Sequence, residues 1–88
     1  MSWKIEVKPT AEKYYLKLDK NIRTRMIKAL RELENTDDPL LHPNVRALTG
    51  KLRGDFRLRA GKWRVLFAPH IEKKILYVFA IVPRGDAY

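Results

Sequence analysis

Residues 56–67, Phe56-Arg57-Leu58-Arg59-Ala60-Gly61-Lys62-Trp63-Arg64-Val65-Leu66-Phe67, decide the fold. Apolar and charged side chains alternate from Phe56 to Ala60, the alternation stops at Gly61-Lys62, and it resumes at Trp63. A period of two belongs to a strand with one buried face. Gly followed by one other residue between two such runs suits a type II′ hairpin turn. With Gly61 and Lys62 in the turn, Ala60 faces Trp63, Arg59 faces Arg64 and Leu58 faces Val65. Parity then puts Phe56, Leu58, Ala60, Trp63, Val65 and Phe67 on one face and projects Arg57, Arg59 and Arg64 from the other.

Like charges directly opposite one another cost a sheet from a few tenths to about 1 kcal/mol, and no carboxylate stands at a matching position on the arginine face. Stability alone would favour an acid there. Arginines that a bound anion would relieve are what a phosphate site requires, because the planar guanidinium pairs bidentately with phosphate oxygens. A run of basic residues is ordinarily a solvated surface; the strand geometry is what singles this one out.

Working outward, Trp3-Lys4-Ile5-Glu6-Val7-Lys8 alternates with period two and reads as a half-buried strand ended by Pro9. Thr10 is an expected N-cap, with Ala11, Tyr14, Tyr15 and Leu18 at the spacing of one helical face. After Asp19-Lys20-Asn21 a second stripe, Ile22, Met26, Ala29, Leu30 and Leu33, predicts another helix, closed by residues 35–39. The two helices form a short-linked hairpin, and their tyrosines, Met26 and leucines are expected in the core. Residues 39–53 follow neither period and read as a loop whose leucines tuck against the core. Lys74 to Val82 is apolar on both faces, as in a covered or central strand, and Pro83 stops it. The expected fold class is α+β: strand, helix, helix and three strands, with the helical hairpin on one face of a mostly antiparallel four-stranded sheet.

The 88 residues carry 19 Lys and Arg against 10 Asp and Glu, a net charge of +9. The first 45 residues hold nine basic and seven acidic side chains, whereas residues 46–88 hold ten and three. The excess is sharpest where Arg46, Lys51, Arg53, Arg57, Arg59, Lys62 and Arg64 stand against Asp55 alone. A chain of this length forms one domain with a radius of gyration of roughly 12 Å and no large enclosed pocket. Its 45% hydrophobic content is too high for disorder, so the charge lies on a folded surface and points to a polyanionic partner.

No cysteine is present, which excludes disulfides and thiolate metal sites. No apolar segment of membrane-spanning or signal-peptide type is visible, so the expected location is cytoplasmic, without a membrane partner. His42 and His70 lie in a Pro-rich loop and a turn region without metal-ligand spacing. Asp37-Asp38 ends a helix, Ser2 is the only serine, and the glycines form no phosphate-loop fingerprint. Metal-dependent hydrolysis, a covalent nucleophile and a small-molecule cofactor are therefore not expected.

Taken together, Leu48-Thr49-Gly50, the 56–67 hairpin and Pro83-Arg84-Gly85-Asp86-Ala87-Tyr88 resemble the RelE branch of the RelE/ParE toxin superfamily, across nearly the whole chain. The resemblance implies one RelE-like domain over residues 1–88, the toxin half of a type II toxin–antitoxin pair. It implies entry into the ribosomal A site, contact with ribosomal RNA and mRNA, cleavage of the exposed codon, and neutralisation by a cognate RelB-like antitoxin. Carried over by motif, the catalytic positions are Arg57, Arg59, Arg64, Arg84 and Tyr88, with Lys51, Arg53 and Lys62 as further RNA-binding residues.

The implied reaction is metal-independent attack of a ribose 2′-OH on the adjacent phosphodiester. Arginines stay charged and are poor proton acceptors, so they would bind the phosphate and stabilise its developing charge. Tyr88 would stack on a base or transfer a proton. Trp63 falls on the core face by parity, although its place beside the turn also suits stacking on a nucleobase. Members of the branch often carry Tyr at Trp63, His or another polar residue at Pro83, and a lysine near Asp55; these departures leave the proton acceptor unassigned. Two alternatives remain at this point: a ParE-like toxin of the same fold that poisons a topoisomerase, and a non-catalytic basic RNA-binding module.

Overall fold

The computed structural model describes residues 3–83. Strand β1 (Lys4–Val7) leads into helix α1 (Pro9–Leu16) and helix α2 (Lys20–Glu34), followed by β2 (Val45–Ala47), β3 (Phe56–Ala60), β4 (Trp63–His70) and β5 (Ile75–Pro83). The strands make one mixed sheet in the order β1-β5-β4-β3-β2, parallel only between β1 and β5. The α+β architecture is the expected one, with five strands rather than four. The extra strand, β2, arises in the segment read as loop: three residues are too few to show a period, and pairing with β3 defines them.

Pro9 opens α1 instead of merely ending β1. Lys8 is the N-cap and Thr10 lies inside the helix. A proline suits the first helical position because its fixed φ is helical and its missing N–H would have had no partner there. The first stripe is used except at Tyr14: Ala11 is fully buried, and Tyr15 and Leu18 pack on the core, whereas Tyr14 is 55% exposed and Leu16, also expected in the core, points to solvent. On α2 the stripe is used throughout, with Met26 and Leu33 buried and Ile22, Ala29 and Leu30 packed beside them. These side chains meet Val45, Leu58, Val65, Phe67, Leu76, Val78 and Ile81 from the sheet. In the 39–53 segment Leu48 is buried and Leu40 packs on the core, but Leu41 is 80% exposed.

The hairpin register is the one parity requires: Ala60 opposite Trp63, Arg59 opposite Arg64 and Leu58 opposite Val65. Gly61 has a φ of 63°, and Lys62 is not left-handed, as a type II′ turn demands. Phe56 and Phe67, opposite one another, stack with centroids 6.0 Å apart. Trp63 packs against the core. Strand β4 runs on through Pro69 to His70, so His70 ends a strand rather than sitting in a turn, and its Nδ1 accepts the Lys73 N–H at 3.2 Å to close the reversal. A bulge between Leu66 and Phe67 shifts the β4–β5 register, so that Leu66 pairs with Ala80 and Phe67 with Val78.

Candidate functional site

The sheet face away from the helices carries the charge. Arg57, Arg59 and Arg64 share it, as their parity requires, and Arg46 from β2 joins them opposite Arg57. With Pro43 and Asn44 these four arginines line a cleft of about 150 Å³. None of the described residues lining it is acidic. Two pairs of like charges thus face each other on neighbouring strands, each a destabilising arrangement for the sheet alone.

Arg46, Arg59 and Arg64 donate to neutral oxygens among the described residues. Arg46 Nη1 donates to the carbonyls of Pro43 at 3.0 Å and Val45 at 3.1 Å. Arg64 Nη1 donates to the carbonyls of Gly61 at 3.2 Å and Trp63 at 3.0 Å. Arg59 Nη2 donates to Asn44 Oδ1 at 3.2 Å. A carbonyl oxygen fixes a guanidinium without cancelling its charge, so these contacts leave Arg46 and Arg59 as cations in the cleft. Such a site suits a phosphate or another oxyanion, which can take bidentate hydrogen bonds from these donors.

Of the sequence-derived candidates, Arg57, Arg59 and Arg64 come together. Lys51, in a short 3-10 turn at Gly50–Leu52, and Arg53 and Lys62 are exposed but do not line the cleft. Arg84 and Tyr88 lie outside the described residues. Arg46 and Asn44 are the members that sequence reasoning missed. The signal for Arg46 was its place in the basic run; what it lacked was a visible strand to set its parity. Among the described residues no three His, Asp or Glu side chains are close enough together to hold a metal ion, and no helix is long and apolar enough to cross a membrane.

Fold and cleft together define a small α+β protein with a helical hairpin on one sheet face and a built cluster of arginines on the other. Residues 5–88 match the family described as ParE toxin of type II toxin–antitoxin systems, parDE, and the chain belongs to that family, within the RelE/ParE superfamily. Its fold is that of RelE structures. It is similar to the archaeal RelE of a RelE–RelB complex from Pyrococcus horikoshii (24% identity, 99% of this chain and 100% of that one, TM-score 0.80). It is likewise similar to a chain of the toxin–antitoxin complex RelBE2 of Mycobacterium tuberculosis (23%, 98% and 95%, 0.82) and to the isolated Escherichia coli RelE toxin (21%, 98% and 88%, 0.71). No curated protein matches the chain in sequence.

Proposed function

We propose that this toxin is a ribosome-dependent mRNA endonuclease that arrests translation by cutting the codon in the ribosomal A site. The observation that carries the reading is the cleft of Arg46, Arg57, Arg59 and Arg64 on the open sheet face, lined by no acidic side chain among the described residues. In the proposed reaction the ribose 2′-oxygen bonds to the neighbouring phosphorus as its proton leaves, and the bond to the 5′-oxygen breaks, giving a cyclic phosphate and a 5′-hydroxyl. Negative charge builds on the phosphate oxygens, and fixed guanidinium groups that need no reorganisation stabilise it. Arg57, Arg59 and Arg64 hold the phosphate, Arg84 completes the set, and Tyr88 stacks on a base or carries a proton. Lys51, Arg53 and Lys62 contact RNA outside the cleft. A domain of this size offers little surface to orient a flexible strand, so the ribosome supplies that positioning and naked RNA is cut slowly. A RelB-like antitoxin is the proposed neutralising partner; the structures sharing this fold include RelE–RelB complexes.

A second reading, poisoning of a topoisomerase, is favoured by the family description, which names ParE. Induced expression separates the two. Primer extension on ribosome-bound mRNA is expected to show cuts within A-site codons, lost in Arg59→Ala and Arg84→Ala together with growth arrest. Intact mRNA with accumulating DNA–topoisomerase cleavage complexes would overturn the nuclease reading in favour of the second.

A further inference from the structure

The cations of the cleft are not all held alike. Arg46 and Arg64 each donate to carbonyls within three residues of themselves. Arg59 instead reaches across the chain to Asn44, fifteen residues away, and contacts it twice: Nη2 donates to Oδ1 at 3.2 Å, and its main-chain N–H donates to the Asn44 carbonyl at 2.9 Å. Asn44 is itself tied down, its main-chain N–H donating to His42 Nδ1 at 3.1 Å. His42 is 18% exposed, and its Nε2 lies 3.9 Å from the Glu32 carboxylate on α2. A ring nitrogen that accepts carries no proton, so the neutral ring bears its proton on Nε2, toward Glu32.

We infer that Asn44, fixed in place by His42, is the positioning residue that holds the Arg59 guanidinium in the cleft ready for a phosphate. The inference rests on the proposed reading of the cleft as the RNA phosphate site. A free arginine side chain must surrender much of its rotamer freedom when it binds, and a tether made beforehand removes that loss from the binding step. The residue type matters as much as the place. Aspartate would grip Arg59 harder through a charge-assisted bond, but it would also neutralise the charge the anion needs. The amide oxygen holds without neutralising. His42 contributes an acceptor two residues before the N–H it receives, the geometry of an Asx turn, in which Asn Oδ1 would stand where His Nδ1 stands.

The test is affinity for a short single-stranded RNA with 2′-O-methyl riboses, which cannot be cut, measured by NMR titration of the folded full-length chain. Asn44→Ala is expected to weaken binding about three- to tenfold, the range of one hydrogen bond, and to release the Arg59 guanidinium 15N signals into fast rotation. Asn44→Asp is expected to weaken binding at least as much with no loss of thermal stability. His42→Ala is expected to behave like Asn44→Ala, and His42→Asn to restore binding to within about twofold of the unaltered chain, well under the loss from one hydrogen bond. Unchanged affinity in Asn44→Ala, wild-type affinity in Asn44→Asp, or equal losses in His42→Asn and His42→Ala would each overturn the inference. Arg59→Ala, run in parallel, separates the layers. If it too leaves affinity unchanged, the phosphate-site reading falls with the inference; if it weakens binding while Asn44→Ala does not, only the tether is refuted.

Discussion

Arg59 stands directly opposite Arg64 across the β3–β4 pair, with Gly61 and Lys62 closing the turn between them. Arg46 stands opposite Arg57 on the next pair outward. Opposed side chains in an antiparallel sheet begin only about 4.5–5.5 Å apart at Cβ, so these guanidinium groups share one small volume. The apolar face of the same strands packs on α2, which fixes the register and leaves the arginines nowhere else to point. Folding itself thus assembles the positive cleft.

That assembly costs stability, and the cost is measurable at Arg57, which is exposed and whose opposite number on β2 is Arg46. Arg57→Thr removes one like-charge pair and substitutes a good strand former. It is expected to stabilise the fold by a few tenths to about 1 kcal/mol, seen in calorimetry as a rise in Tm of up to about 5 °C. The same variant is expected to bind RNA more weakly. A lower Tm would contradict repulsion between the two arginines.

Salt dependence counts the phosphates engaged. For single strands the slope of log K against log salt is about −0.7 per phosphate neutralised. Arg57→Ala is expected to reduce the slope by about that amount, whereas Lys13→Ala, on exposed helix surface, leaves it unchanged. Equal slopes for Arg57→Ala and the unaltered chain would remove Arg57 from phosphate contact.

Gly61 sets the pairing. Its φ of 63° lies in the left-handed region, and a Cβ there would meet no atom within 4 Å, so the barrier to a side chain is conformational rather than steric. Gly61→Ala is expected to lose about 1–2 kcal/mol, and Gly61→Asn less, because asparagine tolerates this region better. Chemical denaturation of the pair checks the order.

The hairpin was legible because alternation, a glycine turn and face parity all specify one register, and the arginine trio followed from that register. What sequence could not show was set by contacts too short or too distant to leave a pattern. Val45–Ala47 carries no period, so the parity of Arg46 was hidden until β3 paired with it. Asn44 touches Arg59 across fifteen residues, through a bond that no local spacing announces. Tyr14 sits on the apolar stripe of α1 but remains exposed, because an eight-residue helix presents only Ala11 and Tyr15 squarely to the sheet. Pro9 fits either a strand end or a helix start, and only the helix start is realised.

Two leucines separate core from surface. Leu33, fully buried between α2 and the sheet, is expected to cost about 2–5 kcal/mol on replacement by Ala, a large share of the total stability of so small a chain. Leu41, 80% exposed, is expected to change stability by no more than about 0.5 kcal/mol on the same replacement. Urea denaturation measures both, and the Leu41 variant tests the placement of the 39–53 segment, which the sequence pattern left undifferentiated.

Glu34 is the last residue of α2, where a negative charge is disfavoured by the helix dipole. Its position is explained by Ile5: the outward-pointing N–H of this edge-strand residue donates to Glu34 Oε2 at 3.1 Å. An edge strand otherwise presents free N–H groups as a template for another chain, and β1 is four residues long and pairs only with β5. Glu34→Ala removes the acceptor and is expected to cost about 1–2 kcal/mol. Glu34→Gln keeps a neutral acceptor, relieves the dipole conflict, and is expected to retain more than half of that stabilisation, since charge-assisted bonds are roughly twice as strong as neutral ones. Hydrogen exchange is the sharper measurement: the Ile5 amide should exchange faster in Glu34→Ala while the Val65 and Phe67 amides of central β4 keep their protection. Unaltered protection of Ile5 would mean that the carboxylate does not guard this edge.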